Sequence, residues 1–174
     1  MSYVAALVGG YLAGSIPTGY WLVRLVRGID IRRIGSRSIG ATNVWRVMGW
    51  KVGVPTIVID VLKGLVPTLV ASLLVNDVAG VLAGAGAMIG HARPIFLKFE
   101  KVGKAVATTG GVILGLAPLV ALCALVVWVV TFVVARYVSV ASMAAAVSLP
   151  VFAFVLDESW PVKIVTLAAA GGIV

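Results

Sequence analysis

The chain has 174 residues, 61% of them hydrophobic and only 11% charged, with a mean hydropathy of +1.15. That composition excludes an ordinary soluble domain, whose surface needs far more charge to meet water, and points to a membrane protein. Fourteen Lys and Arg against six Asp and Glu leave a net charge of +8, so the position of the basic residues becomes the main question.

A spanning helix needs about 20 predominantly apolar residues. Five runs meet that condition: 3–23, 52–75, 78–97, 118–135 and 137–156. Two shorter runs, 105–117 (glycine-rich and closed by Pro118) and 161–174, are read as tilted, partial or re-entrant segments. The first run has no basic stretch before it and is followed by further spans, so it reads as a retained helix, not a signal peptide.

Between the runs, loop 24–51 carries Arg24, Arg27, Arg32, Arg33, Arg37, Arg46 and Lys51 against Asp30 alone. A second basic stretch holds Arg93, followed by Lys98, Lys101 and Lys104 in loop 98–104, so that eleven of the fourteen basic residues fall in these two places. The excess of Lys and Arg in cytoplasmic loops puts both on the inner side, with the N-terminus outside and the C-terminus inside. The turns Asn76-Asp77 and Asp157-Glu158 then face outward. Gly10 and Gly14, Gly80 and Gly84, and Gly86 and Gly90 set small residues four apart, a spacing that lets helix backbones approach closely. The expected fold is all-α: one polytopic domain over 1–174, a compact bundle of about seven transmembrane or partly spanning helices.

The loops contain more than topology requires. Gly35-Ser36-Arg37-Ser38-Ile39-Gly40-Ala41-Thr42-Asn43, followed one turn later by Arg46, combines glycine, hydroxyls and guanidinium groups in a pattern suited to a phosphate at a helix start. A plain N-cap accounts for Thr42 or Asn43 equally well. Gly103-Lys104, followed by small residues and Thr108 at the start of an apolar run, has the same character. It lacks the spaced glycine and the preceding strand of a nucleotide-binding P-loop.

Asp60 and Lys63 share a helix face, roughly 12 Å along the helix from Val52, where a charge must meet protein or water. They read either as a structural ion pair or as a means of aiming a cation at an anionic ligand. His91, the sole imidazole, is open to a structural or a general-base reading. An anionic-solute transporter would draw on Asp60 and Lys63, but the polar residues cluster on one face and no inverted repeat is visible. One Cys and one His exclude a structural zinc cluster, and no metal, cofactor or nucleic-acid partner is expected. No His is followed five positions later by Asp and no Gly-x-Ser-x-Gly elbow occurs, so group transfer would rest on positioning and charge.

Taken in order, Gly14-Ser15-Ile16-Pro17-Thr18-Gly19, Gly35-Ser36 to Thr42-Asn43 with Arg46, Asp60-x-x-Lys63-Gly64, Gly90-His91-x-x-Pro94-x-Phe96-x-x-Phe99, Gly103-Lys104 with Val106-Ala107-Thr108, and Arg136 to Ser142 closely resemble the bacterial acyl-phosphate-dependent glycerol-3-phosphate acyltransferase family, PlsY. The resemblance runs over essentially the whole chain. It implies a seven-helix, multi-pass enzyme of the bacterial inner membrane with its active site facing the cytoplasm. Such an enzyme moves an acyl chain from acyl phosphate to the 1-hydroxyl of sn-glycerol 3-phosphate, giving lysophosphatidic acid and phosphate. A monomer among membrane lipid is expected.

By position, the resemblance places Ser36 and the small residues through Thr42 on acyl phosphate, and Arg46, Lys104 and Ser142 on glycerol phosphate. With His91 added from its general-base reading above, the residues assigned to catalysis are Ser36, Arg46, Lys104 and His91. Those assigned to substrate binding are Gly35, Arg37, Gly40, Ala41, Thr42, Asn43, Asp60, Lys63, Gly103, Thr108, Ser139 and Ser142.

The sequence departs from the family pattern in three places. The usual Gly-Ser-Gly-Asn is Gly35-Ser36-Arg37-Ser38, and the usual Gly-Gly-Lys-Gly is Val102-Gly103-Lys104-Ala105. The family's third cytoplasmic motif, a basic tail with His and Asn, has no counterpart before Val174, and the last 14 residues make only about 21 Å of helix against a roughly 30 Å core. The expectation is a chain cut short at its C-terminus. A homologue that binds acyl phosphate or lipid without turnover stands as the alternative to a working acyltransferase.

Overall fold

The computed structural model describes residues 2–173 and contains, among them, nine α-helices and no strand. In chain order they are α1 (Ser2–Gly14), α2 (Thr18–Arg27), α3 (Ala41–Met48), α4 (Trp50–Leu74), α5 (Asp77–Ala92), α6 (Val106–Leu116), α7 (Pro118–Ala135), α8 (Val138–Val155) and α9 (Trp160–Ile173), with 3₁₀ turns at Ile31–Arg33 and Ile95–Leu97. Four stretches are long and apolar enough to cross a membrane: Trp50–Leu74, Asp77–Leu97, Pro118–Ala135 and Val138–Val155. Val174, the end of the expected 161–174 run, lies outside the described residues.

Two expected helices are shorter than their apolar runs. The run 3–23 is not one helix, because it breaks at Ser15, Ile16 and Pro17. Proline has no N–H to continue the ladder, and it pushes the residue before it out of the helical region. The backbone tightens there, Ile16 N–H donating to the Ala13 carbonyl and Thr18 N–H to the Ile16 carbonyl, before α2 starts again. The run 78–97 likewise leaves the α-helix at Ala92, two residues ahead of Pro94, and finishes as a 3₁₀ turn.

Close helix approach through glycine is realised most fully between α1 and α5. A Cβ on Gly10 or Gly14 would collide with the backbone of Ala83 or Ala87, and one on Gly86 or Gly90 would collide with that of Leu7 or Tyr11. Each helix thus presents small residues to the other's main chain, and van der Waals contact replaces the hydrophobic drive that lipid does not supply. Gly80 and Gly84 turn the other way, toward Ser72, Thr68 and Val112 on α4 and α6. At the α4–α5 turn, Asn76 caps α5 by accepting from Ala79 N–H and donates to the Tyr3 hydroxyl, so the start of α1 sits at this same end. Helix α7 leaves Leu119, Leu125, Val130 and Val134 exposed, an apolar face that only lipid tolerates.

At the opposite end from Asn76, the loop layer has its own core. Val23, Ile31, Ile39 and Val44 are fully or almost fully buried and pack with Leu97 and Val102. Burial stabilises each such side chain by about 1.5–3 kcal/mol, which gives the two basic loops a fixed platform.

Candidate active site

The two basic loops are joined to each other and to the helices beneath them. Ile39 N–H donates to the Val102 carbonyl at 3.0 Å, and Val102 N–H donates to the Ala92 carbonyl at 3.1 Å. Arg32 then bridges them through its side chain, 2.7 Å from Asp30 Oδ2 and 2.6 Å from Glu100 Oε2, with its guanidinium over the Tyr20 ring. Hydrogen bonding from Arg32 holds the Asp30 carboxyl below the usual carboxylate range, against the opposing effect of burial. Arg32 is therefore consumed by structure. Finally, a Cβ on Gly19 would strike the Ile39 carbonyl, so α2 rests directly on the loop.

Asn43 organises the first loop. Its side chain is buried, Oδ1 accepts from Ser36 N–H at 3.0 Å, and Nδ2 donates to the carbonyls of Ile34 and Ser38 at 3.1 and 2.8 Å. The cap of α3 is Gly40, so neither Thr42 nor Asn43 is an N-cap; Asn43 lies inside the first turn and reaches back over the loop. Ser38, one of the small residues between Ser36 and Thr42, accepts from Gly40 N–H at 3.1 Å. A Ser hydroxyl that meets the backbone two residues on makes a local turn of this kind.

Around this frame Ser36, Arg37, Thr42 and Arg46 are exposed, Gly40 and Ala41 are half-buried, and Thr42 and Arg46 share one face of α3. Lys104 is also exposed, two residues beyond the Val102 link. Among the described residues, Arg37, Arg46 and Lys104 enter no ion pair, so their charges remain available to an anion.

Among the described residues six non-glycine residues have left-handed backbone, and four of them, Arg37, Lys98 and Phe99 in these two loops and Ala105 directly after the second, cluster here. Arg37 at φ 60° and Ala105 at φ 55° occupy two of the three positions, with Val102, where the resemblance would place a glycine that this chain lacks. The geometry explains why glycine suits both places and locates strain on either side of the exposed cations.

Beneath the loops lies a second charged group, buried within the helices. Lys63 Nζ is 2.8 Å from Asp60 Oδ1, placed off hydrogen-bond direction as an ion pair, and donates a hydrogen bond to the Ile16 carbonyl at 2.9 Å. Lys63 thus turns toward the α1–α2 break. His91 Nδ1 is 3.1 Å from Thr108 Oγ1 and 3.8 Å from Asp60 Oδ1. Ser139 is exposed on the first turn of α8, and Ser142, one turn on, is buried and accepts from Trp128 Nε1 at 3.2 Å. Among the described residues no three His, Cys, Asp or Glu side chains converge as metal ligands.

An apolar groove of about 670 Å³ runs between α1 and α4, lined by Ala6, Gly10, Leu62, Val66 and Val70, with Ile16 and Lys63 toward its loop-side end.

The glycerol-3-phosphate acyltransferase family profile matches residues 4–174. The chain belongs to that family. A glycerol-3-phosphate acyltransferase of Desulforamulus reducens is 45% identical over 157 residues, covering 90% of this chain and 78% of its relative. The crystal structure of PlsY, an integral membrane glycerol 3-phosphate acyltransferase, in its glycerol 3-phosphate form superposes with a TM-score of 0.94 at 36% identity, covering 99% of this chain and 86% of the other. Its lysophosphatidic acid form gives 0.91 at the same identity and coverage. The protein is therefore an acyltransferase of phospholipid synthesis with the integral membrane PlsY fold.

Proposed function

We propose that the enzyme transfers an acyl chain from acyl phosphate to the 1-hydroxyl of sn-glycerol 3-phosphate at the joined loops, on the cytoplasmic face of a bacterial inner membrane, as a monomer. The observation that carries this reading is the Ile39–Val102 link, which joins a loop exposing Ser36, Arg37 and Arg46 to a loop exposing Lys104. Glycerol 3-phosphate and lysophosphatidic acid are the ligands of the related PlsY structures. They are adopted here as this enzyme's acceptor and product.

The hydroxyl oxygen adds to the acyl carbonyl carbon. The new ester C–O bond forms, the C–O bond to phosphate breaks, and the hydroxyl proton leaves with the phosphate. Negative charge grows on the carbonyl oxygen and the departing phosphate, so fixed cations and N–H donors serve this step better than a strong base. In this assignment Ser36 and the backbone around Gly35, Gly40 and Ala41 receive the acyl phosphate, and Arg46, Lys104 and Ser142 receive the glycerol phosphate. The acyl tail follows the α1–α4 groove, a reading supported by its apolar lining. A site built within one chain supports the monomer, and the excess of basic residues in both loops supports the orientation.

Purified enzyme in lipid, given palmitoyl phosphate and glycerol 3-phosphate, releases phosphate and forms lysophosphatidic acid. Transfer from palmitoyl coenzyme A with none from palmitoyl phosphate would overturn the donor assignment. In intact cells a membrane-impermeant maleimide labels Ser159→Cys and leaves Arg27→Cys unlabelled until the membrane is opened; the reverse result would invert the orientation.

A further inference from the structure

His91, the penultimate residue of α5, is only 3% exposed and lies between two kinds of neighbour. One edge of its ring faces the buried polar group: Thr108 Oγ1 at 3.1 Å from Nδ1, and Asp60, itself paired with Lys63. The other edge lies beneath the second loop. A Cβ on Gly103 would stand 2.9 Å from His91 Nε2 and 3.3 Å from Cδ2, and 3.8 Å from Ser38 Oγ of the first loop. Gly103 does not have left-handed backbone, so its own conformation does not call for glycine. The imidazole excludes a side chain there.

That ring has little freedom to yield. Lys63 donates to the Ile16 carbonyl freed at the α1–α2 break, Asp60 is fixed by Lys63, and Thr108 stands on the first turn of α6, whose main chain is pressed against Gly64 of α4. Three helices and the α1–α2 break therefore fix the height of one imidazole, and the loop carrying Lys104 rests on it.

We propose that His91 is a positioning residue, a wedge clamped by Asp60, Lys63 and Thr108 that sets Gly103 and Lys104 against the Ser38 loop. The consequence for catalysis rests on the acyl-transfer reading above; the wedge itself rests on packing alone. A general-base role would need Nε2 to meet the acceptor hydroxyl, and that edge faces Gly103.

The test is a double-mutant cycle on the full chain in lipid, with palmitoyl phosphate and glycerol 3-phosphate as substrates. It follows both kcat/KM for transfer and the thermal unfolding midpoint. Gly103→Ala lowers kcat/KM at least tenfold because the added methyl meets the ring. His91→Asn keeps a polar atom toward Thr108, removes the Nε2 edge, and costs three- to tenfold. In the double variant the added methyl costs nothing further, because the space beneath Gly103 is open. Losses that multiply in the double variant, or a thousandfold loss from His91→Asn alone, would overturn the wedge.

If the parent transfers no acyl group, the functional reading fails while the midpoints still decide the wedge. Gly103→Ala must lower the midpoint in the parent and not in His91→Asn, and equal lowering in both backgrounds contradicts it. Should His91→Asn fail to fold, Gly103→Ala and Gly103→Val in the parent decide instead. A loss that grows with side-chain volume is expected, and a flat series would overturn the proposal.

Discussion

Lys63 and Lys104 carry the same ammonium in two regions with opposite uses for it. Lys63 is buried in α4, its charge matched by Asp60 and its hydrogen bond given to a backbone carbonyl. Lys104 is exposed on a loop fixed by its neighbours and carries a charge that nothing in the described residues neutralises. A basic residue in a membrane enzyme is therefore read by its partners. A cation already paired holds the bundle, and a cation left open on a rigid frame can hold a substrate. Arg32 repeats the first pattern inside the loop layer, tied to Asp30 and Glu100, and Arg46 repeats the second.

The sharpest attack on that contrast is Asp60→Ala. It leaves the Lys63 ammonium buried without its counterion, for which a loss of about 3–5 kcal/mol is expected. Thermal unfolding in lipid should fall accordingly, and a midpoint within a degree of the parent would show that the pair holds nothing.

Asn43→Ala comes next. Asn43 belongs to the loop region but behaves as a buried structural group with three hydrogen bonds, each worth about 1 kcal/mol net. Stability should drop by about 2–3 kcal/mol, and activity should fall with it as the 34–38 turn loosens. Activity lost at unchanged stability would make Asn43 a ligand-contacting residue and break the division.

The smallest expected effect is a gain. Ala105→Gly removes a left-handed alanine, worth about 1–2 kcal/mol of local strain before the extra entropy glycine loses on folding. The net result should be up to about 1 kcal/mol of stabilisation, seen as a raised unfolding midpoint; a lowered one would show that the turn beside Lys104 is not strained.

Much of the helical frame was legible, since α7 and α8 begin and end within a residue of their apolar runs. The break after Gly14 was also within reach, because Pro17 cannot continue a helix; the unbroken apolar run hid it, hydropathy being blind to a missing N–H. In the site, exposure of Ser36, Arg46 and Lys104 followed from their place in polar, glycine-containing loops. The assignment of each charge to structure or to substrate did not. Arg32 meets Glu100 across 68 residues and Lys63 meets Ile16 across 47, distances over which neither hydrophobic periodicity nor spacing carries information. Asn43 illustrates the limit most plainly. Its residue type announced a helix start, but only the folded loop reveals that it staples the turn ahead of the helix.

The most direct measurement is kcat/KM for glycerol 3-phosphate and the unfolding midpoint, taken on the same preparations of parent, Lys104→Ala and Arg46→Ala in lipid. If these open cations stabilise the charge that develops in transfer, each substitution lowers kcat/KM by about 10²–10³ while the midpoint stays with the parent. Parental kcat/KM in both variants would contradict the assignment of the joined loops as the site of acyl transfer.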